Sequence, residues 1–177
     1  MNALFTRQAG QSAILVAVIL PFLMAFTLLI IELAERHLER AMIEDALQQA
    51  TRSSVQLLDY QALARAEGGL RAGECRAVTA SQSSPCKALL ATANQFLLVN
   101  LSGVRGLNEP TNTLAARVRW TVLPRGGTCS YSSTRTPAVT QTTPLICAEV
   151  RPNLRGIVGW GSFQPLITAA DTLDPVR

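Results

Sequence analysis

The chain has 177 residues, a formal net charge of +4 and a hydrophobic share of 48%. That length suits one modest globular domain with appendages. Lys87 is the only lysine and the arginines are scattered, with no basic block and no aromatic-interleaved patch, so the composition argues against a nucleic-acid partner. The bias to Arg over Lys, and to Ala and Leu, points to a GC-rich bacterial genome.

From Gln8 to Ile31 no residue is charged. Wound as a helix, that run spans roughly 36 Å, enough for the ~30 Å hydrocarbon core of a bilayer with some tilt. A secretory signal has a shorter apolar stretch and a small-residue cleavage site. Here the run instead passes into IELAERHLERAMIEDALQQA, a strong helix former. The expectation is a membrane helix over residues 12–33, preceded by a cytoplasmic leader of residues 1–11. Pro21 lies inside it and should kink it, because proline lacks a backbone donor and crowds the preceding turn. Arg7 and the terminal amine precede the run, and Glu32 and Glu35 open the other side. Positive-inside logic therefore places the N-terminus in the cytoplasm and everything beyond Glu32 outside it.

The helical pattern continues beyond the apolar run. Leu38, Met42, Ile43, Ala46, Leu47, Ala50, Leu57 and Leu58 recur at three- and four-residue spacing and make one apolar stripe. Glu32 with Arg36, and Arg40 with Glu44, are i,i+4 ion pairs expected on the wet side. No Gly or Pro falls between Pro21 and Gly68, so one helix is predicted from about Ser12 to about Ala66, its extracytoplasmic part covering 34–67. The stripe is available to the chain's own domain or to a partner helix.

Residues 68–177 read as a disulfide-bonded α+β domain. Its four cysteines, Cys75, Cys86, Cys129 and Cys147, form no C-x-x-C pair and have no histidine near them, which argues against zinc. An even count outside the cytoplasm reads as two disulfides. Three connectivities are possible; sequence-neighbour pairing, Cys75–Cys86 and Cys129–Cys147, closes two short polar loops and is the one expected here. KALLATANQFLLVN, from Lys87 to Asn100, reads as a second helix with Leu89, Leu90, Ala93, Phe96 and Leu97 on one face. LAARVRWTV reads as a strand with Ala116, Val118, Trp120 and Val122 on one side. LICAEVRP reads as another with Ile146, Ala148 and Val150 aligned, and a third strand is expected near Gln164–Ala170. Between the first two, RGGTCSYSSTRTPAVTQTT reads as a long hairpin excursion. NLRGIVGWGSFQPL has glycines at 156, 159 and 161, but their spacing is not a dinucleotide fingerprint and no helix follows.

The residues offer little chemistry. His37, the only histidine, sits on a charged helix close to the apolar run. No Ser/His/Asp set, isolated carboxylate pair or phosphate loop stands out, so no enzyme activity, cofactor or metal is expected.

Arg7, Gly10, Gln11, Ala17, Pro21 and the string Ile30-Ile31-Glu32 resemble the N-terminus of the TadE/TadG-like proteins of tight-adherence (Flp-type) pilus systems. The likeness covers about the first 50 residues and, more weakly, the last 35 or so. It implies a pseudopilin-like, non-enzymatic pilus-assembly component anchored in the cell membrane, with lipid and other membrane proteins or pilus subunits as partners. It also implies a prepilin peptidase that would cut between Gly10 and Gln11. One departure is plain: the family's Glu, five residues after the Gly, is Leu15 here, and Val16 replaces its Phe. An apolar residue at that place suits a second reading, an accessory subunit that meets another membrane complex through this helix.

Overall fold

The structure, a computed structural model, describes residues 5–56, 78–79, 87–156 and 161–172. It is an α+β arrangement: one long N-terminal helix followed by a small antiparallel sheet and its short helices. Helix α1 runs Phe5–Val55 and contains Pro21 without interruption. Hydroxyls crowd its end: Thr51 Oγ1 donates to the Gln48 carbonyl, Ser53 Oγ to Gln49 and Ser54 Oγ to Ala50, at 2.8, 2.7 and 2.6 Å. Such back-bonding by Ser and Thr weakens a helix, and α1 gives way to a turn at Gln56. The rest of the helix expected as far as Ala66 lies outside the described residues, as do Leu57, Leu58, Cys75 and Cys86.

Helix α2, Lys87–Leu101, coincides with the expected second helix. It packs against the upper half of α1. Leu89, Leu90, Ala93 and Leu97 are buried as their spacing predicts, whereas Phe96 is exposed. A short helix α3, Thr111–Arg117, follows. Here the expected strand LAARVRWTV is corrected: its first four residues are helical, and Ala116 is exposed instead of joining Val118 and Trp120. The Pro110 carbonyl accepts from Thr113 N and Leu114 N, at 3.0 and 3.1 Å. That turn starts the helix, and Leu-Ala-Ala-Arg propagates it well. Extended backbone resumes at Val118, so the strand is β2, Arg119–Leu123.

The main sheet has four antiparallel strands in the order β1-β2-β5-β8. β1 is Val78–Thr79, β5 is Leu145–Val150 and β8 is Ile167–Thr172. Trp120 pairs with Ala148 and Val122 with Ile146 across β2/β5; Ala148 pairs with Ala169 and Val150 with Ile167 across β5/β8. Because side chains alternate along a strand, this register sends Trp120, Val122, Ile146, Ala148, Val150, Ile167 and Ala169 to one face. There they meet Ile43, Ala46, Leu47 and Ala50 of α1 and Leu90, Leu97 and Leu101 of α2 in one core.

The opposite face carries a smaller cluster of Cys129, Leu145 and Cys147, with Leu123, Tyr131, Val139 and Ala170 against it. The polar excursion between β2 and β5 folds over this face as a hairpin of β3, Gly127–Cys129, and β4, Val139–Gln141. A pair of two-residue strands, β6 (Leu154–Arg155) and β7 (Ser162–Phe163), stands apart from the sheet.

Candidate functional site

Two features dominate the described residues: an exposed apolar stretch of α1, and a clasp of glutamates where α1 enters the domain. Every side chain described from Ala13 to Ile31 is exposed, including Ile14 at 69% and Phe22 at 71%. A helix that is apolar all round is normally enclosed by protein or by lipid; among the described residues none of this stretch is enclosed. The only polar side chain in the stretch is Thr27, and its Oγ1 donates to the Leu23 carbonyl at 2.8 Å. The helix is therefore self-sufficient in side-chain hydrogen bonding, as a non-aqueous surrounding requires. By length and composition it can cross a membrane, properties that a secretory signal shares.

Burial begins abruptly at Glu32, which is 1% exposed. Its Oε1 accepts from the Arg36 guanidinium at 2.9 Å, and the Arg36 guanidinium lies 5.0 Å from the centre of the Phe163 ring. The Glu32 carboxylate fills the space beside Gly156, where a Cβ would overlap it. Two turns higher, Glu39 is 6% exposed, and its Oε1 accepts the Gly106 N–H at 2.9 Å. The Gly106 carbonyl in turn accepts the Arg155 N–H at 2.8 Å. Asn108 N donates to the Asn153 carbonyl, also at 2.8 Å, and Leu107 bridges to Leu154. Two connecting loops, one after α2 and one around β6, are thus stitched to each other and hooked onto α1 by carboxylates. Glu109 extends the stitching, accepting from Asn153 N at 2.8 Å and pairing with Arg117.

The expected stripe on α1 is corrected at its lower end. Leu38 is 60% exposed, while Glu32 and Glu39 are buried in its place. The i,i+4 pair Glu32–Arg36 forms, but its carboxylate is interior rather than on the wet side. The inward frame is Glu32, Glu39 and Ala46 at seven-residue spacing, with Ile43 and Ala50 beside them. The frame is tolerable to carboxylates because Arg36 pairs with Glu32 in the space left beside Gly156 and the Gly106 N–H donates to Glu39, since a buried charge needs a donor or a counter-ion.

On the far face of the sheet, Glu149 plays a comparable part. Its Oε1 pairs with Arg119 Nε at 2.9 Å and its Oε2 accepts the Ser132 N–H at 2.8 Å. This holds the excursion down beside the Cys129–Cys147 disulfide, which spans 18 residues of sequence. Tyr131 lies over the same patch. Burial first, and the Glu149 charge second, raise its pKa above the ordinary 10.0.

The sequence-predicted positions fall as follows. Gly10 and Gln11 lie in the helical backbone of α1, and Pro21 lies within its exposed apolar stretch. His37 is exposed. Cys129 and Cys147 are joined. Gly156 is in the clasp, while Gly159 and Trp160 lie outside the described residues. Glu32, Glu39, Gly106 and Glu149 are the residues that sequence reasoning misses. The heptad spacing of Glu32 and Glu39 with Ala46 is the one signal that points to them. No family model, curated protein or solved structure matches the chain.

Proposed function

We propose that this chain is a non-enzymatic, single-pass membrane protein of a bacterial cell surface, an assembly component of a tight-adherence (Flp-type) pilus of the TadE/TadG-like kind. The observation that carries the membrane part is the uncovered apolar stretch Ala13–Ile31, continuous in one helix with the segment that docks into the folded domain. Lipid is the solvent that such a surface needs, and a stretch of 19 residues at about 1.5 Å each closely matches the hydrocarbon core. Arg7 before the stretch and the acidic residues after it favour a cytoplasmic N-terminus and an extracytoplasmic sheet domain. A disulfide between Cys129 and Cys147 suits that compartment. The pilus part rests on the resemblance of Gly10, Gln11, Pro21 and Ile30-Ile31-Glu32.

A second reading, an accessory subunit of another membrane complex, is favoured by Leu15, which is 59% exposed and extends the apolar surface at the place of the family's glutamate.

Carbonate extraction of membranes from expressing cells tests the anchor: the chain should stay in the pellet. Blocked labelling of an added N-terminal cysteine by an impermeant maleimide on intact spheroplasts, with protease access to the domain, tests the orientation. Release of the chain by carbonate would overturn the anchor. N-terminal sequencing then shows whether the mature chain starts at Gln11. Co-purification with a secretion ATPase and pilus subunits supports the first reading; co-purification with an unrelated complex supports the second.

A further inference from the structure

The clasp leaves an open cleft of about 490 Å³ at the foot of the domain, lined by Glu35, Arg105, Leu107, Asn108 and Arg155. We infer that this cleft seats the phosphate of an anionic phospholipid headgroup, so that the domain selects the lipid around its own anchor. The inference rests on the membrane reading above.

Height is the first argument. Glu35 stands four residues above Ile31, or about 6 Å along the helix. The polar layer on each side of the hydrocarbon core is of similar depth, about 5–7 Å. A cleft walled by Glu35 therefore opens at the level of lipid phosphates, and the apolar surface of α1 lies directly below it.

Charge is the second. Arg105 and Arg155 are exposed, and neither takes part in an ion pair among the described residues. Of the carboxylates beside them, Glu32 is held by Arg36, and Glu39 accepts the Gly106 N–H through Oε1 while its Oε2 is buried without a hydrogen-bond partner. The backbone stitching at Gly106 and Arg155 fixes the two arginines on adjacent loops, one on each wall. A guanidinium binds phosphate oxygens in bidentate fashion, and Asn108 adds an amide donor at the rim. Leu107, packed against the domain core, gives the cleft an apolar wall. The lining side chains, two arginines against Glu35, sum to a formal charge of +1, and one such exposed charge at a membrane surface corresponds to about a fivefold preference for anionic over zwitterionic lipid.

The experiment uses the full-length protein reconstituted in bilayers of phosphatidylcholine with a minority of spin-labelled phosphatidylglycerol or spin-labelled phosphatidylcholine. The fraction of motionally restricted label reports which lipid contacts the protein. Wild type should enrich phosphatidylglycerol about fivefold at low salt, and the preference should fall as salt rises. Arg105→Gln with Arg155→Gln should abolish it. Arg52→Gln with Arg135→Gln removes the same charge elsewhere on the domain and should leave the preference intact. Equal restriction of both lipids by wild type, or a preference that survives in the cleft variant, overturns the inference while leaving the anchor standing. Failure of wild type to enter the bilayer overturns both. Glycerol phosphate at millimolar concentration is the arm for a soluble ligand: if it displaces the lipid preference, the cleft is a site for free phosphate esters and the lipid assignment fails.

Discussion

Substituting Gly156 by alanine probes the clasp between α1 and the loops of the sheet domain. A Cβ there would overlap Glu32 Oε1 and come within 2.5 Å of Oε2. The clash falls on the tip of a side chain rather than on backbone, so the carboxylate must swing away. It has nowhere buried to go, because Glu32 is 1% exposed and its Oε1 accepts from Arg36 at 2.9 Å. The cost is that of taking the carboxylate out of its pocket and repacking the loop, about 1–3 kcal/mol by comparison with other overpacked sites. For a domain of this size that lowers the melting temperature by roughly 3–10 °C. Fluorescence of the buried Trp120 in detergent-solubilised protein, in a Trp160→Phe background, reports the transition. Glu32→Ala removes the obstructing carboxylate and leaves room that the new methyl group fills. The double variant should therefore be more stable than the sum of the single changes predicts, by about 1 kcal/mol or more. A Gly156→Ala protein that melts with the wild type, or strict additivity of the two changes, would refute the account of the clasp.

Three other outcomes are expected. Gly126→Ala places a Cβ 2.6 Å from the Gln141 carbonyl oxygen at a φ of +79°; since the obstacles are backbone, the β3–β4 hairpin should lose about 1–3 kcal/mol, read as faster amide exchange over 127–141. Cys129→Ser, which opens an 18-residue separation, should cost about 3 kcal/mol and bring proteolysis between Leu123 and Leu145, with a thermal melt as the second measure. The pKa of Tyr131 is raised in the fold, so the unfolded state releases that proton first as pH increases. Its contribution to stability is complete below pH 10.0 and is lost as pH climbs through the folded value; Tyr131→Phe should flatten the stability profile in that alkaline window, as urea titrations at several pH values will show.

Periodicity makes α2 and the paired strands β2 and β5 legible, because burial of one face demands a regular pattern, and the long apolar helix is legible from its uncharged length. Trp120 and Val122 alternate against Arg119 and Thr121 in both sequence and fold. The same logic fails at Leu114–Arg117, where alternation continues into residues that a proline-initiated turn winds as helix. It fails again on α1, where spacing assigns Leu38 inward and leaves Glu39 outside. Charge on a helix reads as solvated unless a backbone donor waits opposite, and the Gly106 amide comes from 67 residues further along the chain. The hairpin excursion is legible as polar and turn-rich, but the anchoring role of Glu149 depends on Ser132 returning over the sheet, a long-range placement that composition does not encode.

Helix α1 has no joint between its bare apolar length and the part built into the domain core. On the proposed membrane reading, lipid and core grip the two ends of a single rod, and the clasp at Glu32 and Glu39 fixes the face that α1 turns to the domain. A tilt of about 10° at the anchor would carry Val55 sideways by about 6 Å, given roughly 36 Å of helix above Ile31. The sheet moves with it. With the helix anchored as proposed, whatever bends, thins or crowds the bilayer reaches this domain as a change of pose, because α1 runs unbroken from the apolar stretch into the core.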